Sequence, residues 1–132
     1  MNSTAWRPRS LREVSARVLD GQPFDATLRE FLDFFYANAD ARHDALGSPP
    51  LPLDDLKDAY LAATAEHLAH CHRLPVPDWS ESWGRKLTRP FFAGGLESLK
   101  ALLTVESPAA FRRRMLFVSK DALFRPRANA GP

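Results

Sequence analysis

Apolar side chains recur along this chain at the three-and-four spacing of a helix, and no stretch of comparable length alternates with period two. The first such run is Leu11, Val14, Val18 and Leu19, with Ser10 ahead of it as an N-cap and Gly21-Gln22-Pro23 behind it as a stop. The clearest is Leu28, Phe31, Leu32, Phe35, Tyr36 and Ala39. Arg29, Glu30, Asp33 and Asp40 take its opposite side, and Asp25 is placed to cap it. Each large side chain left fully exposed on that stripe would cost about 1.5–3 kcal/mol, so the face must meet a core or a partner.

Gly47-Ser48-Pro49-Pro50-Leu51-Pro52 interrupts the pattern, because prolines lack a donor and push the residues before them to extended geometry. A third helix is predicted from Asp54 to His72, with Leu53, Leu56, Tyr60, Leu61, Thr64, His67, Leu68 and Cys71 near one face. Five alanines between 59 and 69 favour close packing and a central position. Beyond Leu74-Pro75-Val76-Pro77, Asp78-Trp79-Ser80-Glu81 has the spacing of a capping box, and Trp79 and Trp83 would share one face of the turn it opens. Pro90 to Gly95 reads as a joint. Leu96, Leu99, Leu102 and Leu103 supply a fourth stripe, and Ser107-Pro108 reads as an N-cap and first residue of a helix bearing Phe111 to Met115. Ser119 caps a last turn over Lys120 to Phe124.

These elements predict an all-α fold, a compact bundle of about five or six helices with Pro-rich connections. The 132 residues, 45% hydrophobic, suit a single domain over 1–132, with residues 1–9 and 125–132 expected to be flexible. No run of 18 apolar residues is present, so no membrane span or membrane partner is expected. The start lacks the apolar block of a secretory signal and Cys71 is the single cysteine, which together favour the cytoplasm.

Little in the sequence points to catalysis. His67, His70, Cys71 and His72 are the one cluster of metal-ligand types, yet on a helix only His67 and Cys71 face the same way. Glu66-His67-x-x-His70 has neither the H-E-x-x-H order nor its inverse. Cys71 on the apolar stripe reads as a buried thiol. There is no G-x-S-x-G, no phosphate-binding glycine pattern around Gly94-Gly95, and Asp54, Asp55 and Asp58 suit a helix start without acid–base chemistry. No catalytic residue, metal or cofactor is therefore expected.

Charge is more informative in its distribution than in its net +2. Residues 107–132 carry six basic side chains against one acidic, whereas residues 21–106 carry eight against thirteen. Arg112, Arg113, Arg114, Arg125 and Arg127, together with Trp79 and Trp83, are the candidate partner-binding residues, since arginine and tryptophan dominate interface hot spots. A protein partner is the leading expectation, nucleic acid gripped by the same basic segment the alternative, and homodimerisation through surplus aromatic stripes is open.

The runs Ala59 to Ala69, Leu74-Pro75-Val76-Pro77-Asp78-Trp79, Ser107 to Arg114 and Phe117 to Leu123, with Leu28 to Asp33, resemble a group of small bacterial helical proteins. These are encoded beside nucleotidyltransferase-like genes in a toxin–antitoxin arrangement, sometimes with a helix-turn-helix domain attached. The resemblance covers residues 24–127 and implies a non-catalytic, antitoxin-like protein that binds its neighbour's product. No separate DNA-binding domain fits before residue 24, so operator binding is not expected.

Overall fold

The computed structural model describes residues 7–82, 85, 87–93, 103–104 and 106–125. Its regular structure is helical apart from one ladder of two residues per strand, in accord with the all-α reading. The chain forms two compact units, Met1–Leu51 with Leu123–Pro132, and Pro52–Ala122.

In the first unit, α1 (Leu11–Leu19) begins where the Ser10 hydroxyl accepts the Glu13 N–H at 3.1 Å. It ends in a Schellman motif: Gly21 turns left-handed at φ 103°, and Gln22 and Gly21 donate back to the Arg17 and Val18 carbonyls, each at 3.0 Å. Leu11 and Val14 are buried, and α1 packs on α2 (Phe24–Ala37). On α2 Leu28, Phe31, Leu32 and Phe35 of the predicted stripe are buried, together with Thr27, while Tyr36 is half-buried.

Two details of α2 differ from expectation. Asp25 lies inside the first turn and does not cap; Pro23 precedes the helix, and its carbonyl accepts both the N–H and the hydroxyl of Thr27, at 3.1 and 2.6 Å. Ala39 falls past the helix end, in a 3-10 turn (Ala39–Ala41) that leads into the short α3 (Arg42–Gly47). Arg42 folds back, donating from Nε to Phe35 O at 2.9 Å and from Nη2 to Tyr36 O at 3.0 Å, so a cation closes the negative end of α2.

Two side chains hold the incoming and outgoing segments of this unit. Ser15 Oγ donates to Arg12 O and accepts the Leu51 N–H at 2.8 Å, fixing the Pro-rich stretch. The Tyr36 hydroxyl donates to Leu123 O at 3.0 Å. Of the ends expected to be flexible, residues 7–9 and Arg125 lie among the described residues: Pro8 is buried, Arg9 sits over the Phe34 ring, and Arg125 pairs with Asp33.

The second unit is built on α4 (Asp55–Cys71), within a residue at each end of its predicted limits. Asp54 caps it by accepting the Lys57 N–H at 2.8 Å; hydrogen bonds from the Lys57 ammonium and N–H hold this carboxyl below its usual range. Burial runs almost around α4, taking in Ala59, Leu61, Ala62, Ala63, Thr64, Ala65, Leu68 and Ala69, and the small side chains let neighbours approach closely. Its C-terminus is again a Schellman closure, with Leu74 N donating to Ala69 O at 2.8 Å, but here Arg73 takes the left-handed position at φ 58°. That backbone costs a residue with a Cβ roughly 1–2 kcal/mol, against about 0.5–1 kcal/mol for glycine's greater unfolded entropy. Arg73→Gly is therefore expected to raise stability by about 0.5–1 kcal/mol, seen as a higher urea midpoint at unchanged slope.

Asp78–Glu81 is a 3-10 turn after Pro77, with no side-chain cap from Asp78; the expected capping box does not form. The Ser80 and Ser82 hydroxyls instead donate to Pro77 O and Trp79 O. Strand β1 (Phe91–Phe92) pairs in parallel with β2 (Leu116–Phe117), with the Phe92 and Phe117 rings stacked 4.8 Å apart. Between them α5 (Ala109–Arg112) starts after Pro108 and packs against α4. Ser107 does not cap α5. Its buried hydroxyl accepts the Val118 N–H at 2.8 Å and faces the Leu103 and Val118 carbonyls, tying the two flanks of α5 together. Met115, at φ 64°, then turns the chain into β2. Of the fourth predicted stripe, Leu103 is buried; Leu96, Leu99 and Leu102 lie outside the described residues.

Candidate functional site

The arginine triplet Arg112-Arg113-Arg114 begins at the end of α5, and helical geometry sends its members in different directions. Arg114 turns inward. Its side chain is 3% exposed; Nη1 donates to Glu66 Oε1 at 2.5 Å and to Ala110 O at 2.8 Å, and Nη2 donates to Ser80 O at 2.9 Å. Of the candidate partner-binding arginines, Arg114 is therefore the one turned into the protein: its guanidinium links α4, α5 and the 3-10 turn. Arg113, 51% exposed, points outward, donating to Glu81 Oε1 at 2.8 Å with Glu66 Oε2 at 3.4 Å. Arg112 is exposed on α5.

Glu66 is the acid this arrangement requires. It is 6% exposed on α4 and also meets His70 Nε2 at 3.3 Å. Burial opposes its charge, but the hydrogen bond from Arg114 and the charges of Arg114 and Arg113 outweigh that, holding the carboxyl below its usual range. The group is ionised at neutral pH. Removing one member of such a pair costs far more than the pair itself contributes, because the other charge stays buried.

Beside this pair lies a polar pocket lined by Ser80, Glu81, Ser82, Arg85, Arg113 and Arg114. Arg85 covers the half-buried Trp79 ring, its guanidinium carbon 5.3 Å from the ring centroid. Its nearest carboxylate oxygen, on Asp58, is 3.8 Å away, and among the described residues its buried Nη1 has no hydrogen-bond partner. The structure therefore brings Arg113 and Arg114 together on this pocket, and Trp79 is joined to it through Arg85. Arg125 belongs to the first unit, donating to both oxygens of Asp33 at 3.0 and 3.4 Å. Trp83 and Arg127 lie outside the described residues.

The His–Cys cluster takes a different form from the one the apolar stripe suggests. Cys71 is exposed, not buried, with Sγ 3.5 Å from His67 Nε2; α4 ends there, and its last turn buries Leu68 and Ala69 but not the thiol. Burial, and then the charge of His70, hold the His67 imidazole below its usual range. Among the described residues no three His, Cys, Asp or Glu side chains converge as a metal site would require. Also among the described residues, no helix is long and apolar enough to cross a membrane.

Sequence reasoning missed Glu66, Ser80, Glu81 and Arg85 as members of one constellation. A signal for the first was present: an acid set between Ala65 and His67 on a helix rich in alanine, with Leu68 and Ala69 following, needs a cation if that helix is central. Nothing in the local sequence joins Arg85 to Trp79. No family model, curated protein or solved structure matches the chain.

Proposed function

We propose that this is a non-catalytic bacterial protein of the cytoplasm that binds a partner protein through Trp79, Arg85 and Arg113, together with the exposed Arg112 of α5. The observation that carries the reading is the convergence of Arg85, Arg113 and the fixed Arg114 on one polar pocket, with Trp79 under the Arg85 guanidinium. Tryptophan and arginine are the residue types most enriched where binding energy concentrates, and Arg113 is open to solvent. An exposed, unpaired thiol at Cys71 suits a reducing compartment.

A protein partner is favoured over nucleic acid because part of the charge of the basic C-terminal segment is matched where it folds. Of its six basic side chains, Arg114 is matched by Glu66, Arg113 by Glu81 and Arg125 by Asp33, which weakens the field that phosphate binding would need. The resemblance of the sequence to antitoxin-type proteins makes the product of an adjacent nucleotidyltransferase-like gene the first partner to test. Co-expressed with the chain, that product is expected to co-purify with the wild type. Retention by an Arg112→Ala, Arg113→Ala variant should fall at least about ten-fold, the loss of one hot-spot residue, with the unfolding midpoint little changed. Equal retention by both forms would remove this reading.

A further inference from the structure

The pocket beside Trp79 holds three guanidinium groups in unequal states. Arg114 already serves three acceptors, Glu66, Ala110 O and Ser80 O. Arg113 makes one side-chain hydrogen bond, to Glu81, and both of these side chains are about half exposed. Arg85 makes none among the described residues: Asp58 Oδ1 stands 3.8 Å off and already accepts the Leu53 N–H at 2.8 Å. The Ser80 and Ser82 hydroxyls have given their protons to carbonyls, which leaves the arginines as the charged donors lining the pocket.

The Arg85 guanidinium lines the pocket without a hydrogen bond to a carboxylate among the described residues, and its planar fork fits one. Glu81 does not fill that role. Its carboxylate pairs with Arg113 and lies 3.9 Å from Arg114, while no ion pair joins it to Arg85 among the described residues. The surroundings also fix the charge of a suitable ligand. Arg85, Arg113 and Arg114 are balanced by Asp58, Glu66 and Glu81, so a monoanion that replaces Glu81 keeps the balance, whereas a phosphate dianion exceeds it.

We propose that this pocket receives a carboxylate side chain of the partner protein, which pairs with Arg85 and Arg113 and takes the place of Glu81. The inference rests on the preceding reading of this face as the binding surface. Glu81 is then a resident stand-in, easily exchanged because a half-exposed ion pair contributes little. It also lowers affinity for any acid that must compete with it.

The test uses the full chain, an acidic peptide probe and the side-chain Nε–Hε signals of the arginines. Titration with a hexaglutamate peptide at low ionic strength is expected to shift the Arg85 and Arg113 signals along one saturating curve and to move Arg114 much less. Glu81→Gln is expected to tighten that binding about two- to five-fold, and Arg113→Gln to weaken it by at least as much. Both positions are half exposed, and near-ultraviolet circular dichroism confirms that the variants stay folded. Hexaglutamine and inorganic phosphate are expected to give no saturating shift at Arg85. An Arg85 signal that does not move in either wild type or Glu81→Gln would overturn the proposal. So would unchanged or weaker binding in Glu81→Gln, or phosphate binding as tight as the peptide's. If those results appear while partner retention still depends on Arg112 and Arg113, the exchange at Glu81 fails and the broader surface reading stands.

Discussion

Replacing Glu66 with alanine is expected to lower the unfolding free energy by about 3–5 kcal/mol, because the Arg114 guanidinium is left buried without its counter-charge. Glu66→Gln keeps an acceptor for Arg114 and should cost less. A Glu66→Leu, Arg114→Met double variant should recover much of the loss, since paired charges exchanged together for apolar groups leave neither stranded. Urea unfolding followed by tryptophan fluorescence distinguishes these three outcomes; similar losses in all of them would mean that packing, not charge, dominates at this position.

The same pair gives stability a pH dependence of known sign. Glu66 titrates below its ordinary value of 4.5 in the folded protein. A folded-state pKa below the unfolded one contributes stability that is present above the unfolded value and is lost as the pH falls through the folded one. Wild-type stability is therefore expected to decline more steeply on acidification below about pH 5 than that of Glu66→Gln. Parallel declines would assign the acid sensitivity to other carboxylates.

Phe111→Ala is expected to cost about 3–5 kcal/mol by the second route, a cavity. The Phe111 ring is fully buried, edge-on to Tyr60 with centroids 5.1 Å apart and to His67 at 6.3 Å. It anchors α5, whose four residues are too few to hold a helix without tertiary packing. Loss of this ring frees the segment that aims Arg113 outward and Arg114 inward. Partner retention should therefore fall together with stability, whereas Arg112→Ala, Arg113→Ala lowers retention alone. A Phe111→Ala variant that unfolds at the wild-type urea concentration would show that α5 is held elsewhere.

Much of the helical fold was legible because its core is periodic. The stripe of α2 names most of that helix's buried residues, whereas of the α1 stripe Leu11 and Val14 are buried, Val18 is half-buried and Leu19 is exposed; Ser10, Gly21 and Asp54 mark ends that local hydrogen bonding does set. Short elements were not legible. The α3 helix buries only Ala45 and Leu46, too few positions to display a period, and each strand is two residues held by backbone pairing across more than twenty others. Ser107 and Asp78 illustrate a different failure, in which the local spacing of a cap is present but other contacts prevail. At Ser107 the prevailing partner is the backbone of Val118, eleven residues on.

The candidate site was half legible for the same reason. Composition singled out the arginines and tryptophans, but not that one arginine of three is structural, since that depends on an acid 48 residues away in sequence. Cys71 shows the converse. Its place on an apolar stripe suggested burial, yet the stripe ends with the helix and leaves the thiol outside.

The division of the arginine triplet is the claim on which the rest depends, and guanidinium hydrogen exchange measured by NMR tests it most directly. The Arg114 side-chain protons are expected to exchange many-fold more slowly than those of Arg112 and Arg113, and to lose much of that protection in Glu66→Ala. Equal, fast exchange at all three positions in the wild type would contradict the account.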